Sequence, residues 1–253
     1  MWLIISDTVA NIDKHPDHYI SLANNFEGVF NCSEDLIIKD VNRTLSCKDN
    51  PEHKESLTKV LYALARRNPE IGYLQGFNYM ADFFLKQGFS EQECFWIMVF
   101  ILEKLLHPQF YSSFFPLFAD IKIFKVMLFN LDSEIFHYLT KNNLDLFLIL
   151  HKWLFMHFMD VNNEAFISWF MDFFLMEAEV ATMKTSMILF LSEPKQILKI
   201  KTVQDLKKYL IYKISNFSSE KDFKYSYKKF FLSEEIFKTV RKILIQKEKG
   251  KQK

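Results

Sequence analysis

Two short polar segments place side chains suited to phosphoryl-transfer chemistry in an otherwise apolar chain. The first, residues 37–44, ends in Arg43 and Thr44, and the second, residues 72–78, contains Gln75. A guanidinium can neutralise charge on a transferring phosphoryl group, and a carboxamide can orient the attacking water. This pair of residue types therefore suits the hydrolysis of GTP.

Both residues also have a simpler structural interpretation. Arg43 could be a loop arginine paired with Asp40 at the surface, and Gln75 could satisfy backbone groups where a helix begins. In a functional site, Asp40 would hold the Arg43 guanidinium in place, so that less rotamer entropy is lost on binding a phosphate. Gly76 would let a partner's backbone approach closely, and Tyr73 would position the segment by packing.

Other chemistries have little support in the sequence. No GxxxxGK[ST] loop is present, so we expect the chain to bind no nucleotide of its own. His151 and His157 lack the spacing and the carboxylate partner of a metal-binding helix, which favours core histidines. No Cys-His motif supports a nucleophile, so the cysteines are predicted to be structural; they are Cys32, Cys47 and Cys94. The sequence thus predicts no metal and no cofactor of the chain's own.

Well-marked helices separate and follow the two polar segments. Residues 51–67 read as an amphipathic helix, with Asn50 as its cap and Pro51 at its first position. The Asn-Pro pair at 68–69 ends that helix. A second helix is expected from near Gly76 to Lys86, and this places Gln75 at a loop-to-helix junction.

The rest of the chain also favours helices. Ser90 and Glu93 form a capping box that opens a helix to about Leu106. In the last predicted helix, Arg241 and Lys242 lie near the end, where basic charge suits the helix dipole. The further helices are predicted near 120–129, 133–140, 144–159, 163–177, 181–191, 203–213 and 233–246.

Composition supports an all-α protein and excludes several classes. The chain has 253 residues, 28 of them Phe but only 5 Gly and 6 Pro, which favours long helices with few breaks. The net charge of +1 argues against a nucleic-acid partner. No run of apolar residues is long enough for a transmembrane helix or a signal peptide. A cytoplasmic protein is expected, with residues 247–253 as a solvated Lys-rich tail rather than a membrane anchor.

The two polar segments resemble signature motifs of the TBC (Rab GTPase-activating) domain family, IxxDxxR and YxQG. The chain has Ile37, Asp40 and Arg43 in the first pattern, and Tyr73, Gln75 and Gly76 in the second. The resemblance extends over residues 2–214 and includes Trp2. Phe77 stands where the family usually has Met, and Met171 where it usually has Trp.

The resemblance implies a two-lobed, multi-helix domain over residues 1–214, with residues 215–253 as a helical extension. It further implies that Arg43 and Gln75 act in trans as fingers that accelerate GTP hydrolysis by a Rab-type GTPase in its GTP-bound state, which carries the GTP and Mg²⁺. Asp40, Thr44, Tyr73, Gly76 and Asn78 are the expected supporting or partner-binding residues. Recruitment to endomembranes would be peripheral, through that partner. A non-catalytic GTPase-binding or scaffold module in membrane traffic is the alternative.

Overall fold

The chain is helical and forms two compact units. A computed structural model describes residues 1–24, 33–217 and 219–251, and within these ranges it contains helices and no strand. The units are Met1–Ser112 and Ser113–Lys253. The prediction of an all-α fold with two lobes is therefore confirmed, and Arg43 and Gln75 both belong to the first unit. Cys32 lies outside the described residues.

The first unit is assembled from short and medium helices. A 3₁₀ turn, Leu45–Cys47, follows the fourth helix, and a π-helical turn, Ile101–Leu105, extends the seventh. The helices are α1 (Trp2–Ile5), α2 (Thr8–Lys14), α3 (His18–Ala23), α4 (Ser33–Arg43), α5 (Pro51–Arg67), α6 (Phe77–Lys86) and α7 (Glu91–Phe100).

Helix α5 is the centre of the first unit and matches its prediction. The Asn50 side chain caps its start by accepting the His53 backbone N–H at 3.0 Å. Its apolar residues at helical spacing, Leu57, Val60, Leu61 and Leu64, are at most 1% exposed. They face α3, α4, α6 and α7, which pack around this helix.

Helix α4 changes the predicted setting of Arg43. The sequence analysis placed Arg43 on a loop, whereas the structure makes it the last residue of α4. Ile37 and Val41, one helical turn apart, are each 1% exposed and form the apolar face that packs on α5. Acidic residues in the first turn and Arg43 in the last turn also suit the helix dipole.

The second unit is built around a buried helix. Helix α12 lies against α8, α10, α11, α13, α14 and α15, and most of its residues are buried. The helices of this unit are α8 (Phe115–Leu131), α9 (Ser133–Lys141), α10 (Leu146–Met156), α11 (Glu164–Glu177), α12 (Glu179–Leu191), α13 (Pro194–Ile197), α14 (Val203–Ser215), α15 (Glu220–Lys229) and α16 (Glu234–Lys251).

Helix α16 departs from its prediction in two ways. It continues to Lys251, five residues beyond the predicted end near residue 246, so the Lys-rich residues 247–251 are helical. Arg241, expected near the helix end as a dipole charge, lies mid-helix and is 2% exposed. The reason is tertiary: α16 packs along α8, and Arg241 forms ion pairs with two buried carboxylates there.

Two further expectations can be judged from the described ranges. His157 is fully buried, with Nδ1 2.9 Å from Thr182 Oγ1, and His151 is part-buried, so both are packed histidines as predicted. Cys47 and Cys94 are buried and free of disulfides. None of the described helices is both long and apolar enough to cross a membrane.

Candidate functional site

The C-terminal end of α4 and the N-terminal end of α6 meet through buried polar side chains. Tyr73, in the segment before α6, donates its hydroxyl hydrogen to Asp40 Oδ2 at 2.7 Å. Asp40 is 3% exposed and Tyr73 is 5% exposed, so water does not compete for this bond. The two sequence motifs, more than thirty residues apart, are therefore joined directly.

A second set of hydrogen bonds connects the same two segments. Asn78 Nδ2 donates to Thr44 Oγ1 at 3.0 Å, and the Thr44 hydroxyl donates to the Asp40 carbonyl at 2.8 Å. Asn78 Oδ1 accepts the Gly76 backbone N–H at 3.2 Å. Asn78 is fully buried and Thr44 is 2% exposed. All five residues that the sequence analysis expected to support the site thus belong to one hydrogen-bonded network.

The turn that presents Gln75 requires glycine next to it. Gly76 has φ 115° and lies at the N-terminal cap of α6, in a backbone region that residues with a Cβ rarely adopt. This conformation turns the Gly76 N–H inward to Asn78, while Gln75 remains exposed. Among the residues that the structure describes, the Gln75 carboxamide has no hydrogen-bond partner.

The Arg43 guanidinium is paired with a carboxylate and is also partly exposed to solvent. Its Nη2 lies 2.7 Å from Asp40 Oδ1, and its side chain is 49% exposed while that of Asp40 is 5% exposed. Among the described residues, the guanidinium has no hydrogen-bond or ion-pair partner other than Asp40. A buried carboxylate therefore fixes an exposed cation that can still bind an anion.

The hydroxyl group of Tyr73 is held in its protonated form by burial. Burial, followed by the hydrogen bond to Asp40, raises the pKa of Tyr73 far above its ordinary value. The Tyr73 hydroxyl therefore stays protonated and remains a donor at every physiological pH. The Asp40 carboxylate has one oxygen on Tyr73 and the other on Arg43, so a single buried carboxylate connects the segment before α6 to the guanidinium.

A family profile matches most of the chain. The Rab-GTPase-TBC domain profile covers residues 1–198, which includes the whole hydrogen-bonded network. The chain belongs to the Rab-GTPase-TBC domain family. Its membership agrees with the two motifs and with the helical fold that connects them.

Curated relatives are about a quarter identical to this TBC-domain chain over the aligned residues. TBC1 domain family member 2A of Homo sapiens is 26% identical over 182 residues, which is 68% of this chain and 19% of the relative. TBC1 domain family member 2B of Homo sapiens is 27% identical over 209 residues, which is 79% of this chain and 21% of the relative. The chain therefore spans about a fifth of the length of the curated relatives it matches.

Solved structures of TBC domains share the fold. The Chlamydomonas flagellar RabGAP TBC domain aligns with a TM-score of 0.79 at 14% identity, over 89% of this chain and 77% of that one. The Ypt/Rab-GAP domain of Gyp1p aligns with a TM-score of 0.72 at 14% identity, over 90% of this chain and 84% of that one. At this identity the likeness establishes the fold and leaves the activity to be argued from the site.

Proposed function

We propose that the chain is a GTPase-activating protein for a Rab-type small GTPase, and that it completes the partner's active site rather than catalysing a reaction alone. Membership of the Rab-GTPase-TBC family supports the class of partner. The single observation that supports the mechanism is the exposed Arg43 guanidinium fixed by the buried Asp40 carboxylate.

Arg43 is the proposed arginine finger. In the complex its free donors would reach the oxygens between the β- and γ-phosphates of bound GTP and neutralise the charge that develops during transfer. Arginine suits this task because its planar fork can bind two phosphate oxygens at once. The pairing with Asp40 fixes the guanidinium beforehand, so that less entropy is lost on docking.

Gln75 is the proposed glutamine finger. Its carboxamide has both an acceptor and a donor group, so it can accept a hydrogen bond from the attacking water and hold that water in line. The exposed, unpaired position of Gln75 supports this role. The GTPase would contribute the nucleotide, the Mg²⁺ and the phosphate-binding lysine, so the chain itself would need no cofactor.

The buried network is proposed to set the geometry of both fingers. Asp40 precedes Arg43 on α4 and Thr44 directly follows that helix, while Tyr73 and Gly76 flank Gln75. Because Asn78 and Tyr73 bond across to Thr44 and Asp40, the two fingers share one rigid base. Binding to the GTPase in its GTP-bound state would bring the chain peripherally to the endomembrane that the GTPase occupies.

Single-turnover GTP hydrolysis across a panel of Rab-type GTPases tests the proposal. We expect the chain to accelerate at least one GTPase, and Arg43→Ala and Gln75→Ala each to lose most of that acceleration. Matched controls are Lys39→Ala, an exposed basic residue one turn earlier on α4, and Gln87→Ala, an exposed glutamine after α6. Both controls should retain wild-type acceleration.

Three results would contradict parts of the proposal. Retained acceleration in Arg43→Ala or in Gln75→Ala would remove that residue from the mechanism. Binding to a GTPase without any acceleration would make the chain a GTPase-binding module. No binding to any member of the panel, with a folded chain, would reject the Rab-type partner.

A further inference from the structure

Three side chains with metal-ligating atoms converge beside the candidate site. Cys47 Sγ, a ring nitrogen of His53 and a carboxylate oxygen of Asp82 all lie within 4.8 Å of one another. Cys47 ends the 3₁₀ turn that follows Arg43, His53 is in the first turn of α5, and Asp82 is in the middle of α6. The side chains of these residues lie outside the hydrogen-bonded network of the candidate site, although the Cys47 backbone N–H donates to the Thr44 carbonyl at 3.1 Å.

The donor set is that of a zinc site. A thiolate sulfur, an imidazole nitrogen and a carboxylate oxygen are the three ligand types that Zn²⁺ takes in proteins, at about 2.3, 2.0–2.1 and 2.0–2.2 Å. Tetrahedral angles at these lengths separate the ligand atoms by roughly 3.3–3.6 Å. The three ligand atoms lie within 4.8 Å of one another, which is close to this spacing. Hard cations such as Mg²⁺ and Ca²⁺ prefer oxygen and would not use the sulfur.

The three side chains of the cluster are mostly buried, but His53 and Asp82 remain partly accessible to solvent. Cys47 is 5% exposed, and the side chains of His53 and Asp82 are 14% and 13% exposed. His53 Nε2 lies 2.6 Å from Asp82 Oδ1, and the Ser46 hydroxyl also bonds that oxygen, so the carboxylate is already oriented. A partly dry site with one open side is typical of three-ligand zinc centres, in which water takes the fourth position.

We propose that the chain binds one Zn²⁺ through the Cys47 thiolate, His53 Nε2 and the Asp82 carboxylate. The ion takes the place of the hydrogen bond between His53 and Asp82, and the imidazole proton then resides on Nδ1. The thiol proton of Cys47 is released to solvent. Bound zinc would fasten the turn after Arg43 to α5 and α6. The site goes beyond the proposed function and does not depend on it.

The sequence analysis missed this site for a clear reason. Positions 47, 53 and 82 share no short metal-binding spacing, and no second cysteine lies two to four residues from Cys47. The packing of α6 against α5 and α4 brings Asp82 to the other two. A ligand set of this kind is visible only when the helices are assembled.

Zinc titration of the chelator-treated full chain, in competition with a colorimetric zinc indicator, tests the proposal. We expect one equivalent of zinc to bind. Cys47→Ser, His53→Ala and Asp82→Asn should each weaken binding by about 100-fold or more, because mutating even a residue that only hydrogen-bonds to a zinc ligand lowers metal affinity by about 10–100-fold. Asp49→Asn and His137→Asn, exposed residues outside the cluster, are the matched controls and should bind as wild type.

Two further readouts separate a zinc site from a structural ion pair. Cobalt(II) should give a thiolate charge-transfer band that Cys47→Ser abolishes, and zinc should raise the unfolding temperature of the wild type but not of the three variants. Zinc affinity should also rise with pH, because the Cys47 thiol must lose its proton to bind the ion.

The proposal is overturned if the wild type binds no zinc, or if all three variants bind it as tightly as the wild type. If Cys47→Ser fails to fold in chelator, Asp82→Asn decides the question, because its amide retains a hydrogen-bond acceptor for Ser46. None of these measurements involves a GTPase. A zinc site would therefore stand if the proposed activation failed, and activation would stand if zinc binding failed.

Discussion

Two arginines paired with carboxylates occupy opposite extremes of burial in this protein. Arg43 has a 49% exposed side chain and a single carboxylate partner, Asp40. Arg241 has a 3% exposed side chain, with Nη1 2.6 Å from Glu179 Oε1 and Nη2 2.6 Å from Asp120 Oδ2. In the first region Asp40 is buried and Arg43 is exposed to solvent, whereas in the second region Arg241 and both of its carboxylate partners are buried.

The difference separates a binding role from a structural one. A buried guanidinium that pairs with two carboxylates has no accessible donors for an outside partner. Its removal takes away the cation that balances those buried carboxylates. An exposed guanidinium with one anchor contributes little to stability but keeps donors for a partner. Arg241 therefore ties α16 to α8 and α12, while Arg43 is available to an anion outside the chain.

The largest expected effect concerns Arg43 and is functional. Arg43→Ala should reduce the stimulated rate of GTP hydrolysis by about 10³–10⁵, or roughly 4–7 kcal/mol of barrier, if it is an arginine finger. The free energy of unfolding should change by no more than about 1 kcal/mol, because the Arg43 side chain is half exposed and Asp40 retains the Tyr73 hydroxyl as a donor. Single-turnover kinetics and urea denaturation measure the two quantities. If Arg43→Ala lost as much stability as the Arg241 variant, Arg43 would have a structural role like that of Arg241, which would contradict the proposed difference.

The next effect concerns Arg241 and is structural. Arg241→Met should lower the free energy of unfolding by about 3–5 kcal/mol, because Asp120 and Glu179 are left as buried, uncompensated charges. Urea denaturation measures this loss, and the folded fraction should still stimulate a GTPase.

A triple variant sharpens the Arg241 prediction. Replacing the cluster together, with Arg241→Met, Asp120→Leu and Glu179→Met, should recover most of the lost stability, because no unpaired charge remains. Equal instability of the single and triple variants would show that packing, rather than charge, explains the loss.

Tyr73→Phe tests the link between the two fingers. Removing the hydroxyl leaves Asp40 Oδ2 without its 2.7 Å donor, and an unsatisfied buried acceptor costs about 1–3 kcal/mol. Stimulation should fall by less than in Arg43→Ala, because the finger remains but its anchor is less fixed. Tyr79→Phe is the matched control, because Tyr79 is on α6 and its hydroxyl has no hydrogen bond to another described residue. Equal behaviour of the two variants would remove the network from the mechanism.

The smallest expected effect is a pH dependence of the buried region. Burial lowers the pKa of His157 to about 3, from an ordinary value of 6.5. Between these values the unfolded chain binds a proton that the folded chain does not, so stability falls as pH drops below about 6.5. From pH 7 to pH 5 this amounts to about 2 kcal/mol.

His157→Asn isolates that contribution. Asparagine tolerates the positive φ of 48° at this position and can bond Thr182 in place of the imidazole. The stability difference between wild type and variant should therefore shrink by about 2 kcal/mol from pH 7 to pH 5, as measured by urea denaturation at each pH. Parallel pH profiles would show that His157 is not the titrating group.

Prediction from sequence succeeded where the signals are local. The Asn50 cap, Pro51 and the periodic leucines fixed α5, and the Ser90–Glu93 capping box fixed the start of α7. Helices α4 and α15 were not predicted from the sequence, because most of their residues are polar. Helix α4 is stabilised partly by the packing of Ile37 and Val41 on α5. Local propensity is a weak signal when packing of a narrow apolar face decides the outcome.

The candidate site shows the same division. The residue types of Arg43, Gln75 and their neighbours were legible from the motifs, and the structure brings the five supporting residues into one network. The direction of each hydrogen bond, the burial of Asp40 and the absence of a described partner for the Gln75 carboxamide could not be predicted from the motifs. Their roles in hydrolysis remain predictions for the kinetic tests above.

The sequence by itself determined which residues are present, the helical periodicity and the two motifs that mark the family. The tertiary structure alone decided which charges are enclosed and which are presented. Arg43 and Arg241 both lie in helices rich in polar residues, yet Arg43 is half exposed to solvent whereas Arg241 pairs with two buried acids. Burial depends on contacts between residues far apart in the chain, and the free energy of a charge depends on that burial more than on its neighbours in sequence.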